Sequence, residues 1–207
     1  LIALIIYFLA WPVPIEPTSW ESPRDTRSDP IFSLNQKLKD IEIFWDNDGY
    51  SGPEDVVLKN NKIYVGYDNG IIMSNDGIFS NTKGRPLGMA FDSEENLIVA
   101  DAIRGLISID INGEVQILST QSDSDKIPFN FVDDLDIASD GKIYFSDASS
   151  KYGYGNDRQE LLEHAPNGRL LVYDPVTKET TTLLKDLFFA NGVALSTDES
   201  FLLVNET

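Results

Sequence analysis

Three residues far apart in this 207-residue chain, Glu54, Asp133 and Asn191, share one register of a repeated pattern, and each carries a hard oxygen donor. Four segments set the pattern: GPEDVVLKNNKIYVG (52–66), GRPLGMAFDSEENLIVA (84–100), FVDDLDIASDGKIYFSD (131–147) and FANGVALSTDESFLLVNE (189–206). When they are aligned on the last residue of the first apolar run (Leu58, Phe91, Ile137, Leu195), the position four residues earlier reads Glu54, Leu87, Asp133, Asn191. Calcium takes roughly six to eight oxygens from carboxylates, amide carbonyls and water. A Glu, an Asp and an Asn converging from separate segments therefore make a calcium-like donor set. With no cysteine and one histidine in the chain, zinc and copper sites are disfavoured. One residue further on, the register reads Asp55, Gly88, Asp134, Gly192, which sets Asp55 and Asp134 against a second, deeper cation. Carboxylates crowded in a low-dielectric site repel one another unless a cation compensates them. The plainer alternative is that acids at strand starts cap turns or face solvent.

Other motifs are weaker. Asp46-Asn47-Asp48-Gly49 resembles the opening of a calcium loop but lacks the rest of an EF-hand, and it reads as a hairpin turn. Ser139-Asp140-Gly141 and Ala165-Pro166-Asn167-Gly168 are turn chemistry. His164, the single histidine, reads as a solvated loop residue. No G-x-S-x-G elbow, Walker loop or dinucleotide fingerprint is present.

The elements that position these residues are strands. Each segment reads as a turn, a short apolar strand, a polar hairpin loop and a second apolar strand. The second strands start at Ile63, Leu97, Ile143 and Phe201, a mean spacing of 46 residues. Lesser runs at 70–73, 106–109, 115–118, 169–173 and 180–184 bring each period to about four strands. A four-strand period of that length is a β-propeller blade. A parallel α/β sheet needs a crossover helix in every unit, and only 156–163 offers a helical turn or two. The expected fold is all-β: a six-bladed β-propeller, of which residues 41–207 supply about three and a half blades, since six such blades take roughly 280 residues.

Charge narrows the partners. Lys+Arg number 16 against 34 Asp+Glu, a net charge of −18, which repels nucleic acid and anionic lipid headgroups. Hydrophobic residues at 42% are ample for a packed core, so wholesale disorder is excluded. Residues 1–11 (LIALIIYFLAW) are uniformly apolar, yet shorter than the roughly 20 residues that span a bilayer. They are expected to be the outer end of a membrane anchor or the h-region of a signal peptide, the alternative being a buried strand. Residues 12–40 form a Pro-rich linker in which Pro12, Pro14, Pro17 and Pro23 forbid a helix. With few basic residues after the anchor, the propeller is expected to lie outside the cytoplasm.

The segments resemble the strictosidine synthase-like / adipocyte plasma membrane-associated protein family, which sits with the regucalcin/gluconolactonase and paraoxonase six-bladed propellers. The matching stretches are GPED (52–55), GRPLGMAF (84–91), NLIVADAIRGL (96–106), FVDDLDIASDGKIYFSDASSKY (131–152), GRLLVYDP (168–175) and FFANGVALSTDESFLLVNET (188–207). The resemblance implies a central calcium, with Glu54, Asp133 and Asn191 on ligand positions. It also implies a second calcium held by the side chains of Asp55 and Asp134 and the backbone carbonyl of Met89. Two departures stand out. The family's usual Asn-Asp-Leu-Asp is here Asp133-Asp134-Leu135-Asp136, and the histidine of paraoxonase lactone hydrolysis falls on Leu87, which moves no proton.

The functional expectation is a calcium-dependent hydrolase of small-molecule esters or lactones on a membrane-tethered propeller. The cation stabilises the oxyanion, and an activated water or a carboxylate acts as nucleophile. The rival readings are a non-catalytic binding propeller stapled by calcium and a strictosidine synthase-type condensing enzyme.

Overall fold

Short apolar runs closed by Asn, Asp and Gly turns cannot bury themselves alone, so they pair into hairpins and the hairpins into sheets. The computed structural model describes residues 1–11, 14–19, 21, 24–42 and 49–207. The turn expected at Asp46-Asn47-Asp48 lies outside them. Strands β1 (Val56–Lys59), β2 (Lys62–Gly66), β3 (Ile71–Ser74) and β4 (Gly77–Asn81) form one antiparallel sheet in sequence order. Strands β5 (Pro86–Phe91), β6 (Leu97–Asp101), β7 (Gly105–Ile109) and β8 (Val115–Ser119) form a second. A third holds β9 (Val132–Ile137), β10 (Ile143–Asp147), β11 (Gly168–Asp174) and β12 (Glu179–Leu187). The pair β13 (Ala190–Leu195) and β14 (Leu202–Glu206) stands as a half blade. Among the described residues this is an all-β propeller of three blades and a half. Strand β4 was not expected from the sequence.

The core lies between the blades. Ile72, Met89, Leu97, Val99, Ile107 and Ile109 fill the space between the first and second blades. Ile98, Leu106, Val132, Phe145 and Leu171 lead the cluster between the second and third. Position in the row of blades explains strand burial. All five residues of β6 are buried because blades cover both its faces, whereas β1 alternates exposed and half-buried.

Residues Ile2–Ala10 form helix α1 with every residue exposed, so the buried-strand alternative is not what forms. No helix among the described residues is long and apolar enough to cross a membrane. The first strand begins only at Val56, and the described residues between 24 and 42 carry little regular structure beyond a 3-10 turn at Pro30–Phe32.

The loop after β10 carries helix α2 (Asp157–Glu163), just under two turns, as expected. Two buried acids hold it. The Glu160 carboxylate accepts from Ser149 Oγ (2.6 Å) and Asn167 Nδ2 (3.1 Å), and Glu163 pairs with Lys151 Nζ (2.7 Å). Asn167, expected as a turn residue only, thus also ties the turn to the helix.

Candidate functional site

The first strand of each blade runs beside its neighbours along the channel, so residues at equal register meet. Glu54, Asp55, Gly88, Asp133, Asp134 and Asn191 line one cavity of about 180 Å³. The structure thus brings together all three residues expected to hold the first cation, with both acids expected at the second. Among the described residues, no three His, Cys, Asp or Glu side chains alone form a chelating cluster. The candidate set is mixed, with carboxylates from the first and third blades and an amide from the half blade.

The electrostatics of the cavity call for positive charge. Asp133 is buried at 6% exposure, and its carboxyl is pushed up to about 7 by burial and by the charges of Glu54 and Asp134, with Arg85 opposing. Asp134 is raised by burial and by Asp55 and Asp136, against hydrogen bonds from the Val193 and Leu135 N–H groups. A divalent ion fits this donor chemistry, hard oxygen throughout and more than one acid. The deeper acids also join blades. Asp55 accepts from Met89 N (2.8 Å), Asp134 from Val193 N (2.7 Å) and Asp136 from Leu195 N (2.8 Å). Met89 therefore meets Asp55 through its N–H.

Sequence reasoning missed Arg85. Its guanidinium lies 3.5 Å from Glu54 Oε2, donates to Gly52 O (2.6 Å) and stands 5.9 Å from the Tyr154 ring centroid. Its Nε is buried with no partner, as is Asp101 Oδ2. Arg85 faces Glu54 as a counter-charge, the role a metal ion would otherwise fill. Arg85→Met is expected to lower the melting temperature in chelator and to enlarge the rise that calcium produces. An unchanged calcium response would show that Arg85 does not compete for Glu54.

Asp101 and Asp147, the last residues of β6 and β10, share one repeat position and one task. Asp101 Oδ1 accepts from the backbone N–H of Arg85 (2.9 Å), Ile103 and Arg104, and Asp147 Oδ1 from that of Phe131 (2.9 Å). Each carboxylate pins the chain two residues before the site register, at Leu87 and Asp133 respectively. The shared Asp-Ala in VADA and FSDA was the available signal.

Leu87 packs with Ala102, Phe131 and Ala148 in a buried apolar cluster. His164 is half-buried, with its ring 4.9 Å from that of Phe188. It ends α2 in the left-handed conformation at φ 48°, its N–H bonded to Glu160 O. This corrects the solvated-loop expectation: the helix needs a C-terminal cap, and the cap sets the ring against Phe188.

Fold and register together define a β-propeller whose channel mouth gathers acids from several blades. The strictosidine synthase family profile matches residues 133–207, and the profile for the N-terminal part of strictosidine synthase-like proteins matches 31–74. Protein STRICTOSIDINE SYNTHASE-LIKE 4 of Arabidopsis thaliana is 40% identical over 169 residues, covering 76% of this chain and 45% of that protein. Adipocyte plasma membrane-associated protein of Rattus norvegicus is 33% identical over 214 residues, covering 94% of this chain and 57% of its own length. The chain belongs to the strictosidine synthase-like family, and it spans about half the length of the curated relatives it matches. Among solved structures, a putative gluconolactonase aligns with a TM-score of 0.59 at 22% identity, covering 78% of this chain and 58% of the other. A gluconolactonase from Xanthomonas campestris aligns at 0.57 and 21% identity, covering 71% and 51%. These two likenesses establish the propeller fold.

Proposed function

We propose that this propeller binds calcium through Glu54, Asp133 and Asn191 and hydrolyses esters or lactones. One observation carries the reading: acids and an amide from three separate blades line a single small cavity at the channel mouth, and one of those acids is almost fully buried. The names of two structures with the same fold, one a gluconolactonase and the other a putative gluconolactonase, agree with lactones as a substrate class. A relative named for plasma-membrane association agrees with residues 1–11 acting as a tether, and the few basic residues after them favour a propeller outside the cytoplasm. When bound, calcium supplies Lewis-acid polarisation of the scissile carbonyl.

The chain's own residues do the rest. Leu87 and Phe131, both buried in one apolar cluster, hold the backbone next to Gly88 and two residues before Asp133, and so fix the strands that carry the acids. Arg85 holds a fixed positive charge beside Glu54, where negative charge on a reacting carbonyl is stabilised. A second cation at Asp55 and Asp134 would compete with the Met89 and Val193 N–H groups for the same oxygens, so the reading rests on one ion.

The rival is a calcium-stapled binding propeller without turnover, and the apolar Leu87 favours it because no proton carrier stands at that position. One experiment separates the two. The full-length protein is assayed on a panel of esters and lactones, and its melting temperature is measured, with and without chelator. Calcium at 100 times its Kd adds about 2.7 kcal/mol, a rise of several degrees, and Asp133→Ala is expected to abolish it. Hydrolysis lost with calcium supports the enzyme. Calcium-dependent melting with no turnover on any substrate supports the rival, and turnover indifferent to chelator sinks the calcium mechanism.

A further inference from the structure

We infer that the mouth of the candidate site is held against a zwitterionic lipid surface by a strap formed from residues 14–18, an inference that rests on the reading of residues 1–11 as a membrane tether. The strap is built on Glu163. Its carboxylate accepts from Glu16 N (2.9 Å), and its backbone carbonyl accepts from Thr18 N (2.8 Å). The Tyr152 hydroxyl joins the two segments, 2.6 Å from Glu163 Oε2 and 3.0 Å from Pro14 O. Glu163 is 2% exposed and stays ionised down to about 2, because hydrogen bonds from Lys151, Tyr152 and Glu16 outweigh its desolvation.

The strap lies on the face that holds the site. Val132 pairs with Asp147, so the loop carrying Tyr152 and α2 leaves the third blade at the end where Asp133 stands. Tyr154 of that loop has its ring 6.2 Å from Phe131, two residues before Asp133. Between Ala10, the last residue of α1, and Pro14 the chain reaches at most about 14 Å. The exposed apolar helix therefore ends close to the site's own face. That face also exposes Leu161 (49%) and Leu162 (69%) on α2, beside the strap's anchor. Charge selects the occupant: residues 1–15 carry no ionisable side chain except Tyr7, while the whole chain is −18. An uncharged apolar segment on so acidic a body suits zwitterionic lipid and disfavours anionic lipid or a second copy of the chain. A site aimed this way draws its substrate from the interface.

The 207 residues contain no cysteine, which permits single-site labelling. The full-length protein, with any other cysteine replaced, is labelled with a fluorophore at Leu162→Cys or at Asp140→Cys, on the hairpin at the opposite end of the third blade. It is bound to phosphatidylcholine vesicles containing nitroxide-labelled lipid. Quenching is expected to be several-fold stronger at position 162 than at 140, and Tyr152→Phe with Glu163→Gln is expected to erase most of the difference. Protein that floats with the vesicles but quenches equally at both positions overturns the orientation and leaves the tether standing. Protein that does not float with them, or that self-associates through residues 1–11 instead, overturns the tether and the orientation together.

Discussion

Replacing Arg169 by methionine is expected to destabilise the fold by about 3–5 kcal/mol, because it strands a fully buried carboxylate. Asp147 is 0% exposed and Arg169 3%. The guanidinium grips Asp147 Oδ2 through both Nε (3.2 Å) and Nη2, and it donates to Pro128 O (2.9 Å). Burial already raises the Asp147 carboxyl, and Arg169 is the main group that opposes this, ahead of the Phe131 and Asn130 N–H groups. Without Arg169 the acid must either protonate or draw in water, and in both cases the pin on the Phe131 backbone loosens. Urea denaturation provides the measurement. Arg169→Met combined with Asp147→Asn is expected to lose less than the two single changes added together, since the double variant buries no unpaired charge. The exposed pair Lys62–Asp76 is the control, and breaking it is expected to leave the midpoint unchanged. A cost below about 1 kcal/mol for Arg169→Met would show that the pair does not hold the third blade.

The same pair marks the boundary of what the sequence made legible. The inner hairpins could be read because aliphatic strands alternate with Asp-Gly and Asn-rich turns, so their period and the register of Glu54, Asp133 and Asn191 followed from spacing alone. Strand β4, GIFSN, was missed because a glycine opens it and two polar residues close it, and only pairing with β3 makes it a strand. The buried charges were illegible for a different reason. Patterning places charged residues outward, and nothing in the order of the chain says that Arg169 turns inward to Asp147, or that Arg85 leans over to Glu54 in another blade. The strap was hidden too, because most of its bonds use linker backbone, which a Pro-rich composition does not reveal. The acids that were legible carry a double duty that spacing did not announce, since Asp55 and Asp134 bond the next blade's N–H groups as well as lining the cavity.

That double duty makes Gly88 the most sensitive small residue near the site. A Cβ there would lie 2.3 Å from Asp134 Oδ1, 2.7 Å from Asp134 Cα and 3.1 Å from Asp133 O. Contacts below about 3 Å with backbone atoms cannot be relieved by a rotamer change, so Gly88→Ala must push the second and third blades apart or twist Asp133 and Asp134 out of register. Overpacking of this kind costs roughly 1–3 kcal/mol where neighbours can shift. Here the neighbour is a strand already fixed by the Asp134–Val193 hydrogen bond, so the upper end of that range is expected. The signature that separates this from simple destabilisation is the cation response. Gly88→Ala is expected to lower the melting temperature and also to remove the rise produced by calcium, because the displaced backbone carries the acids with it. Gly153→Ala, whose added Cβ meets only Asn130 O at 3.5 Å, is expected to change neither. If Gly88→Ala melted lower but kept the full calcium response, the blade contact at Gly88 would be structural alone, and Asp133 would hold its place without it.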